Sequence, residues 1–162
     1  MSLQTLANVM HYVQADKGPS FWGPGDRYTF LVTGAQSGGA YFIMEATVPR
    51  DGGPPPHIHR NEEECFYVLE GQLEIRLGDR MISASTGDFV HVPRGTVHCF
   101  RNVGTAVART LLIFSPAGLE GFFEETLERV TDPSAPQPEN MEAVVARYLA
   151  VAPKYGLEFV RV

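Results

Sequence analysis

The 162-residue chain has only two cysteines and one tryptophan, and no apolar run nears the roughly 20 residues of a membrane span. Without such a run, no membrane partner is expected. Two cysteines make no disulfide framework, so a reducing, cytoplasmic setting is the expectation. The opening residues MSLQTLANVM lack a basic segment followed by an apolar core, so no cleaved signal peptide is expected. Positive charge is also scarce. The chain carries 13 Lys and Arg against 19 Asp and Glu, a net charge of −6, and no basic run exceeds two residues. Nucleic acid is therefore not expected as a partner, because neutralising phosphates requires a clustered basic face. No internal repeat is visible, and the length suits one domain with a short appendage.

What is present is a core and many turns. Hydrophobic residues make up 44% of the chain, and 16 glycines and 12 prolines punctuate it. The range 27–116 reads as about eight or nine strands. Arg27–Thr33, Ala40–Val48, Glu64–Glu70, Gln72–Leu77, Met81–Ala84, Asp88–Pro93, Val97–Asn102 and Ala106–Phe114 are rich in β-branched and aromatic residues. Gly and Pro separate them. Such spacing indicates an all-β sandwich or barrel. Beyond Pro116 the period changes. Leu119, Phe122, Phe123, Leu127 and Val130 fall at helical spacing. After a Pro-rich linker, Met141, Val144, Val145, Tyr148 and Leu149 do so again, with Asn140 as N-cap and Pro153 as stop. Helices this short must dock on something. The expected plan is an N-terminal arm over 1–26, a barrel over 27–116 and a helical C-terminal cover over 117–162.

Three of the five histidines are placed suggestively. His57 and His59 are two apart, so on a strand their rings share a face. They follow the stiff segment Pro54-Pro55-Pro56. Glu64, Phe66 and Val68 share one face of the next strand, and His98 lies on a later strand with Phe100 on its own face. Imidazole and carboxylate groups converging on one point suit a divalent transition metal. Taken singly, each fragment is ordinary: His-x-His is often a solvated edge, and Glu62-Glu63-Glu64 is often an acidic turn.

The spacings together carry more. The run from His57 through His59, Glu64 and Gly71 fits His-x-His, four residues, Glu, six residues, Gly. Gly87, Pro93, Gly95, His98 and Asn102 fit Gly, five residues, Pro-x-Gly, two residues, His, three residues, Asn. In both motifs the chain resembles the cupin superfamily, in its small single-barrel, quercetinase-like form. One departure concerns the turn leading into the first motif, where Asp51 stands six positions before His57 and glycine is the pattern. The resemblance implies a cupin-type double-stranded β-helix (jelly-roll) barrel with two short C-terminal helices. It also implies one divalent transition metal, Fe, Mn, Ni, Co, Cu or Zn, held by His57, His59, Glu64 and His98. Glu62 is the alternative carboxylate, on the same face as Glu64 but at the wrong spacing to Gly71.

Four such ligands leave one or two coordination positions open, as a catalytic site requires. Phe66, Val68, Phe100, Phe42, Met44 and Phe114 are the candidate substrate-binding residues, with Phe30 and Leu112 as further lining. By the quercetinase likeness, the chain is a dioxygenase-type oxidoreductase acting on a small aromatic or enolic, flavonol-like molecule. Glu64 would be its catalytic base, taking the proton of the substrate. Two alternatives stay open: a non-catalytic binding or sensing module, and a metal-dependent isomerase or lyase. A homodimer is the expected assembly. His91 is expected at the surface or beside the site, Cys65 and Cys99 face away from it, Asn102 forms hydrogen bonds in a turn, and Trp22 and His11 carry no clear role.

Overall fold

Burial alternates residue by residue through the middle of the chain. In β3 (Phe42–Val48) Phe42, Met44, Ala46 and Val48 are buried, and in β10 (Ala108–Ser115) Ala108, Thr110, Leu112 and Phe114 are. A period of two is what a sheet with one face on a core requires. The computed structural model describes residues 10–137 and 141–161. Before β3 come β1 (Ser20–Trp22), β2 (Arg27–Val32) and a single helical turn, α1 (Gly34–Ser37). Between β3 and β10 lie β4 (His57–His59), β5 (Glu63–Glu70), β6 (Gln72–Leu77), β7 (Arg80–Ser85), β8 (Phe89–Val92) and β9 (His98–Asn102). The chain closes with α2 (Glu120–Thr126), β11 (Glu128–Arg129), α3 (Met141–Val151), a 3-10 turn over Ala152–Tyr155, and β12 (Leu157–Phe159).

The strands form two antiparallel sheets, β11-β1-β2-β3-β10-β5-β8 and β12-β4-β9-β6-β7. From β3 to β10 the chain passes back and forth between them, which is the jelly-roll path. Their inner faces share one core, where Phe30, Phe42 and Phe114 pack ring to ring at 4.8 and 5.5 Å. The strands expected over 27–116 are present within a residue or two of their expected ends. Both flanks also contribute strands, β1 from the arm and β11 and β12 from the cover, which raises the total among the described residues to twelve.

Two corrections concern the cover. Val130 is not helical. The chain turns extended at Leu127, and Glu128 and Arg129 pair with Trp22 and Phe21 of β1. Sheet pairing overrides the helical period there. On α3 the stripe is narrower than expected: Val144 and Tyr148 are buried, whereas Val145 and Leu149 are exposed. The expected cap, Asn140, lies outside the described residues. No described helix is long and apolar enough to cross a membrane.

The turn before β4 explains the departure from the glycine pattern. Asp51 itself adopts φ +64°, a left-handed conformation that Asp tolerates better than most residues. Its N–H donates to the Asn102 carbonyl at 2.9 Å, and the Asn102 N–H donates to the Gly52 carbonyl at 3.0 Å. Asn102 is fully buried. Its Nδ2 donates to the carbonyls of Val48 and Ala106, both at 2.8 Å, and its Oδ1 accepts from the Gly104 N–H at 2.9 Å. Gly53, at φ +135°, has its Cα pressed against β9, so an added Cβ would stand 1.9 Å from the Phe100 carbonyl oxygen. Gly53→Ala is therefore expected to cost ~3 kcal/mol or more. Gly39→Ala, at φ +84° with open space around it, should cost only about 1 kcal/mol. Thermal unfolding of the two variants checks this, and equal losses would contradict it.

Candidate metal centre

His57 and His59 enter on β4, Glu64 on β5 and His98 on β9, so the two sheets both supply the group. Register brings them together: His57 lies opposite His98 across the β4–β9 pair, and Glu64 stands beside Phe114 on the neighbouring β10. One ligand atom from each of the four lies within 4.8 Å of those of the others, and all four residues are buried. Glu64 Oε2 is 2.7 Å from His98 Nε2 and 3.2 Å from His59 Nε2. The His57 Nδ1–H donates to the Pro55 carbonyl at 2.8 Å, and the His98 Nδ1–H donates to the Thr96 carbonyl at 2.9 Å. Because a carbonyl only accepts, these bonds keep a proton on each Nδ1 and aim each Nε2 at the group.

Glu62 occupies a different place from Glu64. It is buried, and its Oε2 stands 3.6 Å from His59 Nδ1, behind the imidazole. Neither atom has a hydrogen-bond partner among the described residues. A carboxylate behind a ligating imidazole is the usual support for its orientation, so Glu62 backs His59 and does not join the four.

Burial pushes His57 down to about 3, helped by the neighbouring imidazoles of His98 and His59, so it is a neutral imidazole at physiological pH. Burial alone would lower His59 too, but the carboxylates of Glu62 and Glu64 outweigh it and raise it to about 9. Burial would raise Glu64, yet His59 and His98 hold it well below the usual carboxylate range. Without a cation, the buried Glu64 charge is thus balanced by a proton on His59. The donor set fits a divalent ion: three imidazoles, two of them with Nδ1 tied to a backbone carbonyl, and one ionised carboxylate. These four residues could hold a metal.

Beside them is a cavity with about 40 Å³ of room for water centres, enough for roughly three waters. Of the candidate substrate-binding residues, Met44, Phe100 and Phe114 line it together with Leu112. Phe42, Phe66 and Val68 lie in the core outside the lining. Phe42 stacks on Phe114 at 5.5 Å, and Phe66 packs on Phe100 at 5.5 Å. Phe30 packs behind Phe42. The sequence did not single out as cavity wall Tyr28, Leu119, Phe122, Phe123, Tyr148, Leu157 and Phe159. Helical spacing marked several of these as docking residues without showing what they dock on. Among the lining residues only Pro54 and Phe159 are partly exposed, and they form the rim.

The remaining candidates lie elsewhere. His91 is on the outer face, its Nε2 3.0 Å from Glu63 Oε2. Cys65 and Cys99 are half-buried free thiols on the opposite faces of β5 and β9 from the ligands. Trp22 lies on β1, paired with Arg27 of β2 and Glu128 of β11, and His11 Nε2 contacts the Leu31 carbonyl at 2.9 Å.

Metal loading provides the test of this grouping. Saturation with Mn²⁺ or Ni²⁺ at 100 times Kd should stabilise the fold by about 2.7 kcal/mol, seen as a higher unfolding midpoint that a chelator reverses. His98→Ala should abolish that rise and the exposed His91→Ala should keep it. A rise that survives in His98→Ala would place the ion elsewhere.

Comparison with known proteins agrees with this geometry. The Cupin domain family matches residues 44–114. The quercetin 2,3-dioxygenase of Bacillus subtilis (strain 168) is 31% identical over 111 residues, which is 62% of this chain and 32% of that protein. The chain therefore spans about a third of that relative's length. Protein SchB of Streptomyces halstedii is 30% identical over 107 residues, covering 65% of this chain and 78% of SchB. Among solved structures, KdgF from Halomonas sp. superposes with a TM-score of 0.62 at 18% identity, over 70% of this chain and 99% of KdgF. On motif, sequence and fold alike, this chain belongs to the cupin superfamily.

Proposed function

We propose that the protein is a metal-dependent oxygenase of a small aromatic or enolic compound. The observation that carries this reading is the contrast within one cavity. His57, His59 and Glu64 of the four-residue cluster face a space whose wall is otherwise Phe, Leu, Met, Tyr and Pro side chains. Such a site favours a flat apolar body with one acidic oxygen. Similarity to the quercetin 2,3-dioxygenase of Bacillus subtilis supports the reaction class.

The space limits the size. At about 40 Å³ it falls short of the roughly 150 Å³ cavity that takes up one benzene ring, so even a single-ring substrate needs the wall to give, and a three-ring flavonol would need the C-terminal cover to move. A divalent cation bound by the four residues would supply Lewis acidity, favouring the deprotonated form of an enol or phenol oxygen. Glu64 is ionised at physiological pH and is placed to accept that proton. His57 and His98, fixed through Pro55 and Thr96, give the cluster a rigid frame. The wall of rings excludes water and holds the substrate plane. Dioxygen is the oxidant, both its atoms entering the product, so no external reductant is needed.

Oxygen consumption tests the reading. Metal-loaded protein should consume dioxygen with catechol or a single-ring enol such as 3-hydroxy-4-pyranone, and less readily with quercetin. Glu64→Gln should lower kcat by about 100-fold or more, with metal content measured on the same sample. Conversion of substrate without oxygen uptake would make the protein an isomerase or lyase. Binding of the panel with no conversion would make it a sensing module. Either result would contradict the proposal.

A further inference from the structure

Resting on the reading of this cavity as a site for an aromatic or enolic molecule, a second polar group there calls for a partner. Tyr148 stands on α3, in the C-terminal cover, outside the residues 44–114 that match the cupin family. It is 8% exposed and lines the cavity. Its ring is held by Phe122 at 4.6 Å and by Phe159, stacked at 6.1 Å. Its hydroxyl has no hydrogen-bond partner among the described residues. Leaving a buried hydroxyl unpaired costs about 1–3 kcal/mol, and Phe at this position would fill the same space without that cost.

The neighbouring phenol behaves differently. Tyr28 also lines the cavity, but its hydroxyl donates to Asp26 Oδ2 at 3.1 Å, so its proton is committed. Tyr148 is thus the phenol with a free proton on this wall. Burial and the nearby charge of Asp26 push Tyr148 well above its ordinary value, so it stays a donor throughout the working pH range. We propose that the Tyr148 hydroxyl donates a hydrogen bond to a second substrate oxygen, and so selects substrates bearing a carbonyl or similar acceptor besides the acidic oxygen held at His57, His59, Glu64 and His98. The cover is then part of the binding site, and the substrate is a compact bifunctional oxygen compound.

Calorimetric titration of metal-loaded protein with two probes tests this. One is 3,4-dihydroxybenzaldehyde, which carries the extra acceptor; the other is catechol, which lacks it. In Tyr148→Phe the aldehyde should bind about ten-fold more weakly than in the natural protein, catechol should change less than two-fold, and the unfolding midpoint should stay the same or rise. Equal affinities for the aldehyde in both proteins, or equal losses for the two probes, would overturn the role of Tyr148 alone. A lowered midpoint with unchanged affinities would show a purely structural role and also overturn it. If neither probe bound natural protein of full metal content, the phenolic reading of the cavity would fail, and this proposal with it.

Discussion

Everything about this protein depends on burying one carboxylate among three imidazoles. An isolated ionised carboxylate in an apolar interior is prohibitively unfavourable, and Glu64 is 3% exposed. The fold answers by bringing His98 and His59 within 2.7 and 3.2 Å of it. That requires strands from both sheets to meet at one point, and the stiff turn ahead of β4 to set His57 and His59 at the right depth. The left-handed Asp51, the tight approach of Gly53 to β9 and the hydrogen bonds of Asn102 all serve that placement. A cation would take over the role that the proton on His59 plays in its absence.

The cluster explains why the rest of the cavity is so apolar. Rings around a charged group exclude water, which strengthens every electrostatic interaction inside. They also restrict what can reach the group. The aromatic wall is shared between the two sheets and the C-terminal cover, with Phe114 and Phe100 from strands and Phe122 and Phe123 from α2. The cover therefore does two jobs. Its buried face completes the core through Leu119, Phe122 and Val144, and its Tyr148 and Phe159 set the size and polarity of the space beside the ligands.

Much of this was legible in the sequence, for identifiable reasons. Alternation over 27–116 shows the strands because one face of each meets the core. The spacing of His57, His59, Glu64 and His98 shows which side chains share a face. Parity does not report depth along a strand, and this is why Phe66 and Val68, on the face of Glu64, prove to pack behind the cavity. The short strands β11 and β12 are held by distant partners, and β1 pairs with the adjacent β2 over only three residues, too few for alternation to show. Helical period marked Tyr148 and Leu149 equally, yet only contact with the sheets shows that the first is buried and the second exposed. Glu62 was separable from Glu64 by spacing, but its place behind His59 needed the turn geometry.

The most direct test of the account is anomalous X-ray diffraction from crystals of the metal-reconstituted protein, collected at the absorption edge of the loaded ion. The account predicts one peak per chain, within about 2.0–2.3 Å of His57 Nε2, His59 Nε2, His98 Nε2 and a Glu64 carboxylate oxygen, with Glu62 outside bonding distance. A peak elsewhere, ligation by Glu62 instead of Glu64, or no peak in protein shown to be folded would contradict it.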